Sequence, residues 1–279
     1  MTLPRIGVFD SGVGGLTVLK AMAEQLPAHY FYFGDTARLP YGTKSAETVA
    51  RYAIGAARFL EAQNIDLLVI ACNTATALAL PQIQQAAGVT VVGVVEPGAA
   101  MAAEVSKKRC AVVIATEATV SSHAYRDALQ ARGMTAHEKA CPLFVPLVEE
   151  GWVDHPVTEQ VARIYLSEAL ERCSQQADVL VLACTHYPLI APLLRRLVPK
   201  SMQIVDSAES TAREVQRILA HGPPSSSSGT SRETSMTTEP SDHRTFRFFV
   251  TDSVDKFKRL AIRFLGRQVD HVEHVDLGG

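Results

Sequence analysis

Two cysteines end matching apolar segments of the chain. Cys72 closes DLLVIAC (66–72) and Cys184 closes DVLVLAC (178–184). Continuous apolar runs of this length are typical of strands buried on both faces of a parallel sheet, and ligands bind beyond the carboxyl ends of such strands. A helix is predicted to begin directly after each cysteine. Because the amino-terminal end of a helix favours an anion, we expect each thiol to have a lowered pKa.

Two thiols of this kind have four possible uses. Inert burial is the commonest fate of a free cysteine. A redox disulfide and a metal site are less favoured, because the sequence has no CxxC pair and no clustering of Cys and His at metal-site spacing. The fourth use is proton transfer at a stereocentre, in which one thiolate removes a proton from one face and the second thiol returns a proton to the other. The matching positions of the two cysteines, each followed by polar residues, favour this last use.

A glycine-rich turn follows the first predicted strand. In FDSGVGGLT (9–17), Thr17 stands where the dinucleotide-binding pattern GxGxxG requires its third glycine, so that signal is weak. We expect the glycines to let backbone N–H groups approach a ligand carboxylate. Asp10 and Ser11 lie at the end of the strand, and Asp10 could cap the following helix while also facing a ligand.

Further polar candidates lie in three other turns. His186 shares the turn that follows Cys184, which makes it a candidate acid or base. Tyr41 and Gly42, in the loop RLPYGTKS, could offer hydroxyl and backbone contacts to a substrate. Glu149 or the glutamate after it could adjust a nearby base, although an exposed charge at a helix start is an equally open interpretation.

Strand and helix patterns alternate along most of the chain. Residues 89–99 are predicted to form a strand, and residues 135–151 a short strand followed by a loop. The alternation predicts an α/β fold with largely parallel sheets flanked by helices. Because the strand-and-cysteine segment occurs twice, we expect two similar lobes, one around Cys72 and one around Cys184.

The chain is predicted to cross from the first lobe to the second and back again. The first lobe is predicted to comprise residues 1–97 and 206–279, and the second lobe residues 98–205. Residues 222–243 are rich in Ser, Thr and Pro and have almost no apolar side chains, so they are predicted to be a disordered insertion. A strand and a helix ending at Gly266 are predicted to follow it and to return to the first lobe.

The composition argues against several classes of protein. The 279-residue chain is 47 % hydrophobic with a net charge of -2. It can bury a sizeable core, and it has no electrostatic footprint for nucleic acid or an anionic membrane. No apolar run approaches the ~18 residues of a membrane span, and the amino terminus lacks a secretory pattern. Five widely spaced cysteines favour a reducing cytoplasm.

No feature of the sequence predicts a cofactor or a metal. No lysine-centred motif indicates pyridoxal phosphate. The HVEH segment at 271–274 has the spacing of a weak metal pair, but it is predicted to be a frayed surface tail. We therefore expect the side chains of the protein to act on a small-molecule substrate unaided.

Six motifs of the sequence, in order, resemble those of the bacterial glutamate racemase family. They are GVFDSGVGGLTVLK, YFGDTARLPYGTKS, ACNTATALAL, GVVEPG, FVPLVEEG and CTHYPLI. The resemblance spans roughly residues 5–220 and resumes at about 246–266. It implies two pseudosymmetric α/β lobes with the active site in the cleft between them. Homodimers are common in the family, so a homodimer is also expected.

The resemblance implies a cofactor-independent enzyme that interconverts L- and D-glutamate in the cytoplasm and supplies D-glutamate for peptidoglycan. By position, Cys72 and Cys184 match the two catalytic thiols of the family. Asp10 matches the carboxylate that assists the first thiol, and Glu149 and His186 match the pair that assists the second. The family positions that contact substrate correspond to Asp10, Ser11, Tyr41, Gly42, Asn73, Thr74, Thr185 and His186. A racemase of aspartate or another acidic amino acid, and a non-catalytic glutamate-binding protein, stay open as alternatives.

Overall fold

The computed structural model describes residues 3–173, 176–221 and 244–278, in which strands and helices alternate. The strands are β1 (Arg5–Asp10), β2 (His29–Gly34), β3 (Leu67–Ile70), β4 (Thr90–Gly93), β5 (Cys110–Ala115), β6 (Thr135–Ala140), β7 (Val179–Ala183), β8 (Gln203–Asp206), β9 (Phe246–Val250) and β10 (Val272–His274). The α-helices are α1 (Leu16–Gln25), α2 (Ala46–Glu61), α3 (Asn73–Ala86), α4 (Val95–Val105), α5 (Glu117–Ser122), α6 (Ala124–Gln130), α7 (Phe144–Glu150), α8 (Pro156–Arg172), α9 (Ala191–Leu197), α10 (Ser207–His221) and α11 (Val254–Leu265).

The first sheet contains six strands in the order β10-β9-β2-β1-β3-β4, and its neighbouring strands are parallel. Its central strands are buried on both faces, because successive side chains of a strand point to opposite sides. Phe9 and Leu68 lie in the apolar cluster on one face, whereas Val8 and Val69 lie in the cluster on the other. Burial on both faces explains why these segments read as unbroken apolar runs in the sequence.

The second sheet contains four parallel strands in the order β6-β5-β7-β8. Val113 and Val181 pack into a cluster of their own, while Val112 and Leu180 join the cluster that also holds Val8 of the first sheet. The two sheets therefore share part of their hydrophobic core. The prediction of an α/β fold with two parallel sheets flanked by helices is confirmed.

Two helices join the sheets. Helix α4 follows β4 of the first sheet and leads into β5 of the second. Helix α10 follows β8 of the second sheet and packs against α1 and α4. The lobe boundaries that the sequence predicts, at 97/98 and 205/206, fall inside α4 and at the end of β8. These boundaries stay a prediction. Within the described ranges, no helix is long and apolar enough to cross a membrane.

Two segments differ from their predicted structure. The strand predicted at 89–99 ends early and α4 follows, with Pro97 in the first helical turn. The loop predicted within 135–151 is also wrong, because α7 forms there with Pro146 in its first turn and ends at Gly151, whose φ is 89°. Proline is tolerated in the first turn of a helix because its missing N–H has no partner there. Both prolines lie in the first turn of a helix, so each segment continues as a helix.

The carboxyl-terminal segment returns to the first sheet, as predicted. Strand β9 pairs with β2, and α11 ends at Gly266 in the left-handed conformation. The HVEH segment at 271–274 is not a frayed tail, because β10 pairs with β9 and His274 Nε2 donates to the carbonyl oxygen of Thr251 at 3.0 Å. The insertion predicted to be disordered, residues 222–243, lies outside the described residues.

Candidate active site

A cavity of about 260 Å³ lies where strands of both sheets end. Ser11 and Cys72 follow β1 and β3 of the first sheet, and Thr116 and Cys184 follow β5 and β7 of the second. This is the position at which parallel α/β sheets bind ligands. Every predicted site residue except Asp10 lines the cavity. These residues are Ser11, Tyr41, Gly42, Cys72, Asn73, Thr74, Glu149, Cys184, Thr185 and His186.

The Cys72 thiol is held by the start of α3 and by a hydroxyl. Cys72 is 6 % exposed, so its sulfur atom has little contact with water. The thiol donates to Ser11 Oγ at 3.4 Å, and the sulfur accepts from the backbone N–H of Ala75 at 3.4 Å. Cys72 is therefore the N-cap of α3 as well as a residue of the cavity wall.

The Cys184 thiol shares the cavity with a histidine and a carboxylate, and it accepts a hydrogen bond from the backbone N–H of His186. His186 Nε2 lies 3.3 Å from Glu149 Oε1, and Glu149 Oε2 accepts from Lys256 Nζ at 3.1 Å. The hydrogen bond from His186, followed by the charges of His186 and Lys256, lowers the pKa of Glu149 to about 2 against the opposing effect of burial. Because an ionised carboxylate can only accept hydrogen bonds, Nε2 of His186 carries the hydrogen in this pair.

Both thiols have raised pKa values, opposite to the expectation from the helix starts. Burial raises the pKa of Cys72 to about 11; the charge of Asp10 acts in the same direction and the hydrogen bond with Ser11 opposes it. Burial also raises the pKa of Cys184, and the charges of Cys72 and Asp10 add to the effect. Loss of hydration disfavours the Cys72 thiolate more than the start of α3 favours it. The helix start predicted directly after Cys184 is wrong, because α9 begins only at Ala191. A thiolate in this cavity therefore needs a proton acceptor or a positive charge close by.

Asp10 is buried behind the cavity wall. Its Oδ2 accepts from the backbone N–H of Gly12 at 2.8 Å, while its buried Oδ1 has no hydrogen-bond partner among the described residues. Burial raises the pKa of this carboxyl group, and the hydrogen bond from Gly12 and the charge of His186 oppose the rise. The alternative in which Asp10 caps α1 is wrong, because Gly15 is the N-cap and no side chain caps that helix.

The glycine-rich turn packs against protein side chains. A Cβ atom on Gly15 would lie 2.6 Å from Asp10 Cβ, and one on Gly14 would lie 2.5 Å from His186 Nδ1 and would overlap Thr185 Oγ1. Neither glycine lines the cavity. The expectation that this turn brings backbone N–H groups to a ligand carboxylate stays a prediction. The two glycines allow one turn to contact residues that follow strands of both sheets.

The start of α3 is tied to residues that follow strands of the second sheet. Tyr125 donates its hydroxyl hydrogen to Asn73 Oδ1 at 2.7 Å, and Asn73 Nδ2 donates to Ser207 Oγ at 3.3 Å. The hydroxyls of Thr74 and Thr116 lie 3.0 Å apart. Asn73, Tyr125 and Ser207 are all buried, so these contacts fix the amide of Asn73 in one orientation.

The hydroxyl of Tyr41 points away from the cavity. It donates to Asp35 Oδ2 at 2.5 Å, and Asp35 Oδ1 accepts from the hydroxyl of Thr251 at 2.9 Å. Tyr41 and Gly42 nevertheless line the cavity. The part of this loop that faces a ligand is therefore its backbone and the tyrosine ring, with the hydroxyl committed to the protein interior.

Part of the cavity wall was not predicted from the sequence. The additional lining residues are Leu39, Pro40, Thr43, Thr116, Glu117, Pro142, Val145 and Pro146. Most of them lie in the turns after β5 and β6 or in the first turn of α7. The rule that ligands bind beyond strand ends, applied to β5 and β6 as well as to the cysteine strands, would have found Thr116, Glu117 and Pro142.

The titratable residues of the cavity do not form a metal centre. Within the described parts of the chain, no group of three or more His, Cys, Asp or Glu residues could hold a metal ion. All five cysteines are buried free thiols. The titratable side chains of the cavity are therefore the two thiols, the His186–Glu149 pair and Glu117, with the carboxyl group of Asp10 behind the wall.

Known proteins share both the sequence and the fold. The family model for Asp/Glu/Hydantoin racemase matches residues 6–215. A glutamate racemase of Koribacter versatilis is 60 % identical, over 99 % of this chain and 98 % of the relative. The crystal structure of a Bacillus anthracis glutamate racemase isoform has a TM-score of 0.85 at 36 % identity, covering 98 % of each chain. A Francisella tularensis glutamate racemase in complex with D-glutamate has a TM-score of 0.84 at 32 % identity, covering 99 % of each chain.

These similarities extend over both sheets and over the strand ends that form the cavity. The chain therefore belongs to the Asp/Glu/hydantoin racemase family, within its group of glutamate racemases. The predicted enzyme class, an amino-acid racemase, is confirmed at this level.

Proposed function

We propose that the protein interconverts L- and D-glutamate by proton transfer between Cys72 and Cys184, without a cofactor. The observation that carries this proposal is that one cavity is lined by two buried thiols, each following a central strand of a different sheet. Two thiols placed in this way suit the two faces of one Cα atom. The F. tularensis relative, whose structure is a complex with D-glutamate, supports glutamate as the ligand.

The proposed step balances without an oxidant or reductant. The thiolate of one cysteine takes the Cα proton and becomes a thiol, while the thiol of the other gives its proton to the opposite face and becomes a thiolate. The C–H bond re-forms with inverted configuration. Exchange with water then restores the starting protonation of both sulfur atoms before the next turnover in the same direction.

The raised pKa values of the thiols set the main requirement of this mechanism. A positive charge beside a thiol favours the thiolate, and the α-ammonium group of a bound amino acid brings one into the cavity. We assign Asp10 as the proton acceptor that assists Cys72, and His186 with Glu149 as the pair that assists Cys184. Burial raises the pKa of Asp10, which makes its carboxylate a stronger base towards the Cys72 thiol.

The other predicted residues are assigned to binding. We infer that Ser11, Tyr41, Gly42, Asn73, Thr74 and Thr185 contact the substrate, because each of them lines the cavity. Fixed donors in a cavity that excludes water stabilise the negative charge that develops as the Cα proton leaves. For Tyr41 this contact would be through the backbone or ring.

Exchange of the Cα proton with solvent deuterium tests the proposal. We expect NMR to show exchange with both enantiomers of glutamate, and circular dichroism to decay to zero from either enantiomer, without added pyridoxal phosphate or metal. Equal or faster exchange with aspartate would move the substrate to another acidic amino acid. Binding of glutamate with neither exchange nor loss of optical activity would show a non-catalytic binding protein and would refute the proposal.

The cellular role follows from the same proposal. We infer that the protein acts in the cytoplasm and supplies D-glutamate for peptidoglycan, as its resemblance to bacterial glutamate racemases implies. Growth of a D-glutamate auxotroph that expresses the chain is the expected result. A homodimer stays a prediction, which light scattering coupled to size exclusion would check. The prediction that the protein binds no nucleic acid also stands untested.

A further inference from the structure

Helix α11 reaches the second-sheet side of the cavity from the first-sheet side. It follows β9 of the first sheet and packs against α1 and β10. Three of its side chains nevertheless contact the His186–Glu149 pair or the backbone of Glu149. These side chains are Lys256, Arg263 and Phe264.

Lys256 holds the carboxylate of Glu149 from the side opposite His186. Its Nζ donates to Glu149 Oε2 at 3.1 Å, while the other oxygen of the carboxylate faces His186 Nε2 at 3.3 Å. The Glu149 side chain is 18 % exposed and the Lys256 side chain 49 % exposed. The lysine is thus a half-exposed partner that determines where a largely buried carboxylate lies.

Arg263 and Phe264 fix the rest of the pair. Arg263 Nη1 donates to the carbonyl oxygens of Val148 and Glu149, at 3.1 and 2.7 Å, and so binds the last turn of α7. The ring of Phe264 packs edge-on against the ring of His186, with centroids 5.0 Å apart at 79°. Each member of the pair is therefore held by α11 through its side chain, and Glu149 through its backbone as well.

We propose that Lys256 is a positioning residue for proton transfer at Cys184, acting through Glu149 on His186. The proposal rests on the proposed racemase function. Two titratable groups outside the pair act on it: Lys256 from α11 and Asp10 from β1. Arg263 of α11 binds the backbone of Glu149, so Lys256 is the α11 cation that contacts its carboxylate. Removal of Lys256 leaves the carboxylate with one charged partner in place of two, and frees it to rotate away from His186.

The effect should differ between the two cysteines, which isotope effects can detect. When the substrate carries deuterium at Cα, the abstracted nucleus is deuterium, whereas the returned nucleus comes from the other thiol and is protium. The isotope effect on kcat/KM therefore measures how far abstraction limits each direction. If proton transfer at Cys184 is slowed, the isotope effect rises in the direction where Cys184 abstracts. It falls in the direction where Cys184 returns the proton.

The experiment uses the full chain with Lys256→Met, its charge-preserving variant Lys256→Arg, and Lys258→Met as the control. Lys258 is two positions further along α11, so its side chain leaves the opposite side of the helix. We expect Lys256→Met to lower kcat about fivefold, as for loss of a half-exposed ion pair worth ~1 kcal/mol. Its two isotope effects should change in opposite senses. Lys256→Arg should restore most of the rate, and Lys258→Met should behave as the wild type.

A double-mutant cycle separates action through Glu149 from a general structural effect. In a Glu149→Gln background, the additional change Lys256→Met should lower kcat by less than twofold. A full fivefold loss in that background would overturn the proposal. So would wild-type isotope effects in Lys256→Met, or shifts of the same sense in both directions. If the wild-type chain itself exchanged no Cα proton, the racemase proposal would fail instead, and the two failures are thereby distinguished.

Discussion

The surroundings of Cys72 and Cys184 differ far more than the strands that carry them. Both cysteines end buried parallel strands and both are 6 % exposed. Cys72 has a hydroxyl beside it, from Ser11, and the buried carboxyl group of Asp10 within electrostatic reach. Cys184 accepts from the backbone N–H of His186, and its side of the cavity holds the pair of His186 and an ionised Glu149. The repeated strand fixes where each sulfur lies, and the turns that differ determine how its proton is handled.

Each half of the site is also held by residues of the other half. Asn73, next to Cys72, is bonded to Tyr125 and Ser207, which follow strands of the second sheet. Glu149 and His186, beside Cys184, are held by α11, which packs on the first-sheet side. A substitution in one lobe should therefore alter the chemistry of the thiol in the other. Substitutions in each half of the site test this reciprocity and the difference between the surroundings of the two thiols.

Replacement of either thiol should have the largest effect. Cys72→Ala and Cys184→Ala should each lower racemisation by about 10⁴-fold, because each removes one of the two proton-transfer groups. Each variant should still exchange the Cα proton of one enantiomer, through the remaining thiol. The two variants should therefore exchange opposite enantiomers, which NMR in deuterated water measures. Exchange of the same enantiomer by both would show that the thiols do not address opposite faces.

Loss of the Glu149 carboxylate should have the next largest effect. Glu149→Gln removes the charged partner of His186 and should lower kcat about 10²-fold. Its pKa of about 2 lies below the ordinary 4.5, so its stabilisation of the fold is complete above pH 4.5 and is lost as pH falls through 2. The free energy of unfolding should thus fall by about 2 kcal/mol in the variant at pH 6.

Urea denaturation at several pH values measures this stability effect. The difference between wild type and Glu149→Gln should shrink as the pH falls from 4.5 towards 2, because over that range the unfolded wild type binds a proton on this carboxyl group that the folded state does not. A difference that stays constant with pH would show that the carboxylate charge makes no contribution to the pair. The comparison with Cys184→Ala, measured in parallel, controls for loss of packing in the same region.

The sequence predicts the parts of this site that depend on local pattern. The apolar runs before Cys72 and Cys184 identify both strands, and the strand-end rule then places both thiols at one kind of position. The direction of the thiol pKa shift was not predictable in the same way. The direction of this shift depends on how completely the two sheets and their helices bury each sulfur atom, and burial is a property of the assembled fold.

Contacts between distant segments were also beyond the sequence. Lys256 and Glu149 are 107 positions apart, and nothing in the pattern around either residue indicates the other. The HVEH segment illustrates the same limit, since its three-residue strand exists only because β9 offers a free edge to pair with.

Removal of the Tyr125 hydroxyl should have an intermediate effect on the Cys72 half. Tyr125→Phe leaves the buried Oδ1 of Asn73 without its donor. We expect kcat/KM to fall roughly tenfold through misplacement of the α3 start. Tyr30→Phe is a matched control, because its hydroxyl donates to the carbonyl oxygen of Leu26 at 2.9 Å and Tyr30 does not line the cavity.

Thermal unfolding and kinetics together separate the two tyrosines. Both variants should lose about 1 kcal/mol of unfolding free energy, as for one buried hydrogen bond. Only Tyr125→Phe should also lose activity. Equal kinetic losses in Tyr125→Phe and Tyr30→Phe would mean that the hydrogen bond from Tyr125 to Asn73 affects activity no more than any other buried hydrogen bond.

The smallest effect is expected at the hydroxyl beside Cys72. The hydrogen bond with Ser11 opposes the burial that raises the pKa of Cys72 to about 11, so Ser11→Ala should raise that pKa further. Because the Ser11 hydroxyl can donate only one hydrogen bond to the thiolate, at a sulfur–oxygen distance of 3.4 Å, alkylation of Cys72 by iodoacetamide at fixed pH should slow only about threefold. Alkylation of Cys184 in the same sample, followed by mass spectrometry of each peptide, should keep its wild-type rate. Equal slowing at both cysteines would mean that Ser11 affects the whole cavity, and that the two thiols are less independent than their different surroundings imply.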